Sequence, residues 1–346
     1  MESIDFRSLS ERLRTELSRV YFWQKIVRIL SIIVYLFVFC WMMFVLFGGY
    51  LVGYIGLENY SVVTQYIFPV FMGFIVLNFA FSRSLMKFQG QENDIMRSIM
   101  SAMFPSVLFS FSSQLDQRIL SGSRLFNSSF SDPTLAATTY AYLEVPRGDR
   151  TLYVADIGVS YGLMNKLELN SVTGYLVMLY RYVLRPLFAS RYESSAHNFR
   201  GMFGWCRLER SFKGSTIILP DHLEQKAGYL AKNIQGLKKR YNARFVHLED
   251  PDFEKYFVVY ADDEVTARMI LTPAVMRRIT RLRETFGHDM MLSFNKGTFY
   301  YAGVMPDGFL CLRKRALDNE HLLEEIYNDI TVSYTHLRAH ETDQYL

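Results

Sequence analysis

Seven carboxylates crowd into the sixteen residues from Glu249 to Glu264. They fall in two strings, Leu248-Glu249-Asp250-Pro251-Asp252-Phe253-Glu254-Lys255 and Ala261-Asp262-Asp263-Glu264. Clustered carboxylates offer hard oxygen ligands to magnesium or calcium. They also shift one another's proton affinity towards acid–base work. Glu249, Asp250, Asp262 and Asp263 are the candidate ligand or metal residues. The spacing matches no calcium loop, because D-x-D-x-D-G is absent. Acidic turns and helix starts flanking a strand explain the same residues without chemistry, since carboxylates stabilise helix N-termini.

Other chemistry is sparse. His197, His222, His247, His288 and His321 are isolated in the sequence. No G-x-S-x-G, Walker loop or post-strand G-x-G-x-x-G occurs. No catalytic residue is assigned and no cofactor is expected. Cys206 follows Trp205 in an apolar strand and reads as a buried structural thiol. Together, Cys40, Cys206 and Cys311 are too few and too scattered for a disulfide framework or a zinc site. Basic clusters at 238–240, Arg277-Arg278 with Arg281 and Arg283, and 313–315 suit lipid headgroups, a phosphorylated ligand or a solvated helix face.

The elements that must position these residues begin with a membrane anchor. The 346 residues are 50% hydrophobic and 21% charged, with a net charge of +4. That excludes disorder, and the charge excess is too small to mark a nucleic-acid binder. No charge occurs from Ile29 to Leu57, and a second uncharged run covers Asn59–Ser82. Each is long enough to cross a bilayer core, which takes about 20 apolar residues. The pair reads as a transmembrane hairpin over 29–82. The first run is too long and too far from Met1 for a signal peptide. Arg7, Arg12, Arg14, Arg19, Lys25 and Arg28 precede the first run, and Arg83, Lys87 and Arg97 follow the second. The connecting loop carries no Lys or Arg, so both termini are expected on the cytoplasmic side. Tyr21, Phe22, Trp23, Tyr54 and Tyr60 sit where an interfacial aromatic belt would lie. Gly49 and Gly53 form a G-x-x-x-G, suited to close packing of membrane helices, between chains or within the hairpin.

Residues 1–28 form a cationic amphipathic arm. Ser8 and Glu11 fit a capping box, and Leu9, Leu13, Leu17 and Val20 recur at helical spacing. Arg12, Arg14 and Arg19 between them are candidates for lipid headgroups. The arm lies on the inner leaflet, packs on the cytoplasmic domain, or simply extends the first span.

Residues 84–331 read as a cytoplasmic, mixed and mostly antiparallel α+β domain. Helices are expected over Ser84–Met103, around Leu115–Leu125, from Pro220-Asp221 to about Arg240, from Thr272-Pro273 to about Phe286, and over Asn319–Ile330. Strands are expected at Thr138–Val145, Leu152–Val159, Phe199–Leu208, Lys213–Leu219, Arg244–Leu248, Phe257–Tyr260, Met291–Phe294 and Thr298–Gly303. Arg147-Gly148-Asp149-Arg150 reads as a hairpin turn rather than an adhesion triplet. The apolar stretch Val172–Ala189 is interrupted by Arg181 and Arg185, which makes it an amphipathic surface segment and those arginines headgroup candidates. The string VSYTHLRAHET at 332–342 resembles a translated sequencing adapter, so 332–346 is expected to be a non-native tail.

The strings FRGMFGWCRL, FKGSTIILPD, VHLEDPDFEKYFVVYADDEVTARMILTP and MLSFNKGTFYYAG resemble a bacterial family known as domain-of-unknown-function family 3137. The resemblance implies the same membrane hairpin and supplies no agreed activity. The segment 172–197 departs from the family pattern. The expectation is therefore a non-enzymatic, multi-pass protein of the bacterial inner membrane holding a cytoplasmic interaction or ligand-sensing domain. The alternative is a membrane-tethered enzyme acting on a lipid or nucleotide through the acidic cluster. Expected partners are the lipid bilayer and a protein or second copy, not nucleic acid.

Overall fold

A computed structural model describes residues 6–56, 65–111, 114–126, 136–147, 150–160, 197, 199–209, 211–221, 243–312, 315, 317 and 321–341. The chain divides into two compact units, Met1–Ile99 with Arg315–Leu322, and Met100–Lys314 with Leu323–Leu346.

The first unit is built on two long helices. Helix α1 spans Phe6–Ile55 without a break, so the cationic arm and the first apolar run are one element. The helix is already running at Phe6, so Ser8 sits inside it rather than capping it. Leu13, Val20 and Val27 recur every seven residues, two turns apart, and are buried. Arg12, Arg14 and Arg19 are exposed. Helix α2 spans Ile67–Met103 and includes the predicted helix after Ser84. Both helices are long and apolar enough to cross a membrane. Large apolar side chains point outwards along them, Ile32, Leu36 and Phe39 on α1 and Phe68, Val76 and Phe79 on α2. Phe37 stacks on Phe74 with ring centroids 4.5 Å apart, which fixes the register of the pair. The loop at 57–61 lies outside the described residues.

The second unit is a nine-stranded sheet with helices. Strand β1 (Leu108–Ser110), helix α3 (Gln117–Gly122), and strands β2 (Ala136–Arg147), β3 (Arg150–Ser160), β4 (Phe199–Arg207) and β5 (Ser215–Pro220) come first. Then follow β6 (Arg244–Val246), α4 (Pro251–Glu254), β7 (Phe257–Ala261), α5 (Glu264–Ile270), α6 (Pro273–Phe286), β8 (Met290–Asn295), β9 (Thr298–Val304) and α7 (Leu322–Glu341). The order across the sheet is β1-β2-β3-β4-β9-β8-β5-β7-β6, and every described pair is antiparallel. The α+β architecture expected from the sequence is what the chain adopts.

Period-two alternation decides which side chains meet. Ala155, Ile157 and Val159 of β3 join Phe199, Phe203 and Trp205 of β4 and Tyr300, Ala302 and Val304 of β9 in one apolar cluster, with Leu120 of α3, Leu125 and Phe126. Helix α6 starts where its residues dictate: the Thr272 side chain accepts from the Val275 N–H, and Pro273 is its first residue. It stops at Gly287, whose φ of 68° gives the left-handed C-cap. The β8–β9 hairpin turns at Lys296 and Gly297, with φ of 48° and 75°, as a two-residue turn of this hand requires.

Three expectations change. Pro220 does not open a helix. It closes β5 opposite Phe257, and the next N–H, of Asp221, donates to the Tyr256 carbonyl at 3.0 Å. Proline suits this end because it has no N–H to give to the ladder. Strand β1 and helix α5 are additional elements. Helix α7 runs past Thr331 to Glu341, through the adapter-like string. The predicted helix beyond Asp221 and the segment 172–196 with Arg181 and Arg185 lie outside the described residues. Arg147 and Arg150 pair across the hairpin, as expected.

Candidate functional site

The carboxylates of the acidic segment are largely engaged in holding backbone. Asp250 is extended (φ −116°, ψ 98°), as a residue before proline must be, and its Oδ1 accepts from the Phe253 N–H at 3.1 Å to cap α4. Asp263 caps α5, accepting from the Val265 N–H at 3.2 Å and from the Thr266 hydroxyl at 2.5 Å. That hydroxyl, above all, holds the Asp263 carboxyl below the usual carboxylate range. Asp262 Oδ1 accepts from the Ser215 N–H at 2.5 Å, and its Oδ2 lies 3.3 Å from the Arg124 guanidinium. Glu254 Oε1 accepts from the Leu248 N–H at 2.7 Å and lies 2.8 Å from His247 Nδ1. Glu264 pairs with Arg268 one turn on. Glu249 is exposed. Among the described residues no three His, Cys, Asp or Glu side chains gather as a metal site. A cavity of about 160 Å³ beside the segment is lined by Asp221, Phe245, Leu248, Phe253 and Glu254, and not by the four candidate residues. Phe253, Phe257, Val259 and Tyr260 are buried, so the segment is a joint between β6, β7 and the helices. Because Asp262 is bonded rather than merely solvated, Asp262→Asn loses an ion pair while keeping one acceptor.

Of the other candidates, Gly53 lies near the end of α1, and a Cβ there would meet no heavy atom within 4 Å. Gly49 lies on the same helix. Cys206 is buried on β4, as expected.

The densest buried polar constellation is one the sequence did not single out. Asp156 of β3 and Arg200 of β4 are buried, at 1% and 6% exposure. Both Arg200 terminal nitrogens donate to the Asp156 carboxylate, the Nη2–Oδ2 bond measuring 3.0 Å. Arg200 Nη1 also donates to the Ile157 carbonyl at 3.0 Å, and the Leu310 N–H donates to Asp156 Oδ2 at 3.2 Å. The ring of Tyr140 covers the guanidinium, 4.0 Å from ring centroid to Cζ. Tyr140 falls between Thr139 and Ala141, where the β2–β3 register slips. A bulge adds an unpaired residue and re-aims its side chain. The Tyr140 hydroxyl is 2.6 Å from His197 Nε2, and the Ser160 hydroxyl is 2.9 Å from Nδ1. Burial pushes the Tyr140 phenol above its ordinary value despite the opposing pull of Arg200. Kept protonated, it can donate to Nε2, leaving an Nδ1–H for Ser160. The arrangement links Tyr140, His197 and Ser160 in a hydrogen-bonded chain beside a neutralised ion pair.

His197 therefore is not isolated in space, contrary to its reading from the sequence. Its partners lie 57 and 37 residues away. The imidazole fits only because residue 158 is glycine: a Cβ there would overlap the ring. Gly158→Ala is expected to cost about 1–3 kcal/mol through overpacking. In the double variant with His197→Ala most of that cost should vanish, as urea unfolding of both chains would read. Unchanged cost in the double variant would show that the ring is not what the methyl meets.

Four phenols, Tyr300 and Tyr301 buried, Tyr142 half-buried and Tyr140 partly covered, give an alkaline signature. Burial raises the proton affinities of Tyr140, Tyr142, Tyr300 and Tyr301. Below the ordinary value of 10.0 these phenols are neutral in both folded and unfolded chains, and their contribution is intact. As pH rises above it, the unfolded chain ionises first, so stability falls. Phenolate absorbance should lag and then rise together with loss of near-UV circular dichroism. A smooth titration of every tyrosine near pH 10 without unfolding would contradict this burial.

The geometry defines a class: an antiparallel α+β unit in a chain that also carries two helices able to cross a membrane. Residues 197–335 match the family described as "Protein of unknown function (DUF3137)". The family resemblance is thereby borne out from His197 onward. No curated protein matches the sequence. Among solved structures the chain is similar to the crystal structure of the mycobacterial trehalose monomycolate transport factor A, TtfA. That likeness has a TM-score of 0.35 and 7% identity, covering 70% of this chain and 93% of that one.

Proposed function

We propose that the chain is an integral protein of the bacterial inner membrane, with α1 and α2 as a hairpin and both termini cytoplasmic. Its antiparallel domain serves as an interaction or ligand-sensing module rather than an enzyme. The observation that carries this reading is the outward-facing apolar surface of α1 and α2, which water would not tolerate. The confinement of Lys and Arg to one end of each apolar run supports the orientation. The commitment of Asp250, Asp262 and Asp263 to caps and backbone donors supports a structural rather than catalytic acidic segment. Calorimetric titration of the full chain in detergent with magnesium, calcium and manganese tests the non-enzymatic part. No micromolar binding is expected. Micromolar binding that disappears in Asp262→Asn would overturn it.

A further inference from the structure

Strand lengths leave a cavity at one end of the sheet. Strand β6 stops at Val246, whereas its partner β7 starts only at Phe257. The chain between them turns through α4. Pro220 ends β5 opposite Phe257, and the Asp221 N–H ties that end to the Tyr256 carbonyl at 3.0 Å. The ends of β5 and β6, the start of β7 and α4 thus converge around a space of about 160 Å³.

The lining of this space has two kinds of surface. Phe253, Phe257 and Val259 line it and are no more than 2% exposed, so its floor is apolar. Asp221, which is exposed, and Glu254, which is half-buried, are its polar residues among those described. No Lys or Arg is among the described residues that line it. Glu254 Oε1 is held by the Leu248 N–H and lies beside His247 Nδ1. Among the described residues no hydrogen bond reaches Glu254 Oε2, and none reaches the Asp221 carboxylate.

Unmatched carboxylate oxygens above an apolar floor select a cation that carries hydrocarbon. An ammonium supplies charge-assisted donors to the carboxylates. Its hydrocarbon gains by leaving water for the floor. A calcium ion suits the lining poorly, because it takes about 6–8 oxygen ligands and the floor offers none. The volume sets the size of the ligand, since a cavity of about 150 Å³ holds one benzene ring.

We infer that this cavity binds a small primary ammonium compound. Its ring or short alkyl group lies against Phe253, Phe257 and Val259, and its N–H groups donate to Glu254 and Asp221. The inference rests on the ligand-sensing reading above and names the class of ligand.

The test titrates benzylamine into the full chain in detergent, followed by calorimetry against blanks of the same micelles. Saturable binding at about 1 mM or tighter is expected. Benzyl alcohol has the same ring without the charge, and should bind the wild-type chain at least about tenfold more weakly. Glu254→Gln keeps an acceptor for the Leu248 N–H and should weaken benzylamine about tenfold, and Asp221→Asn about fivefold. Asp252→Asn removes the same charge from a neighbouring residue outside the lining and should leave binding unchanged. No saturable binding of benzylamine would overturn the inference. So would equal affinity for benzyl alcohol, which needs no variant to fold, or an equal loss in Asp252→Asn and Glu254→Gln. Any of these results removes the amine and leaves the membrane-anchored module standing, because topology and divalent-ion binding are measured separately. Mass spectrometry of the titrated amine separates the two levels in the other direction. Recovery of unchanged benzylamine supports both, whereas a new product would sink the non-enzymatic reading while the site stood.

Discussion

An Asp156→Ala chain is expected to unfold about 10 °C below the parent, a loss of about 3–5 kcal/mol. The cause is the guanidinium left behind. Arg200 is 6% exposed and has the Asp156 carboxylate as its charge partner among the described residues. Removing that carboxylate strands a buried cation and leaves the Leu310 N–H without its acceptor. The Tyr140 ring cannot replace a carboxylate, since a cation–π contact contributes only about 0.5–2 kcal/mol. Replacing both partners, as in Asp156→Leu with Arg200→Met, should recover most of the loss, because no uncompensated charge remains. Thermal unfolding of the full chains in one detergent reads all of these. A double variant as unstable as the single would show that the pair does more than neutralise itself.

Phe253→Ala is expected to cost about 3–5 kcal/mol. Its ring has no exposed surface and lies 5.1 Å from that of Phe257. It is the apolar pin of α4, whose four residues cannot hold a helix alone. The neighbouring Asp252 is exposed, and Asp252→Asn should change stability by less than about 0.5 kcal/mol. That contrast within two adjacent residues distinguishes a structural joint from a ligand site. A stable Phe253→Ala chain would mean that the acidic segment is not anchored by its apolar residues.

What could be read from the sequence was whatever is encoded locally. Thr272-Pro273 gave the start of α6 because a hydroxyl cap and a first-turn proline act within three residues. Asn295-Lys296-Gly297 between two strand-like runs likewise marks the β8–β9 hairpin, although Asn295 belongs to β8 and the turn is Lys296 and Gly297 alone. Strand β1 escaped because three residues show no alternation. Helix α5 escaped because it is seven residues long and exposes Val265 and Met269, which blurs its apolar stripe. The acidic residues were visible as a cluster, but their roles depended on which N–H groups each carboxylate would meet. The His197 constellation was invisible because it is made by pairing between distant strands and by a bulge at Tyr140. Its traces in the sequence are a glycine at 158 and a tyrosine in an otherwise alternating strand, and neither is diagnostic alone.

The central claim is that α1 and α2 cross the membrane as a hairpin with the antiparallel domain on the cytoplasmic side. Paired reporter fusions at Phe88, beyond the second apolar run, and at Glu58, between the two runs, test it most directly. A cytoplasm-active reporter should work at Phe88 and fail at Glu58, and a periplasm-active one should do the reverse. A periplasmic signal at Phe88 would invert the orientation, and cytoplasmic signals at both positions would show that the helices do not cross at all.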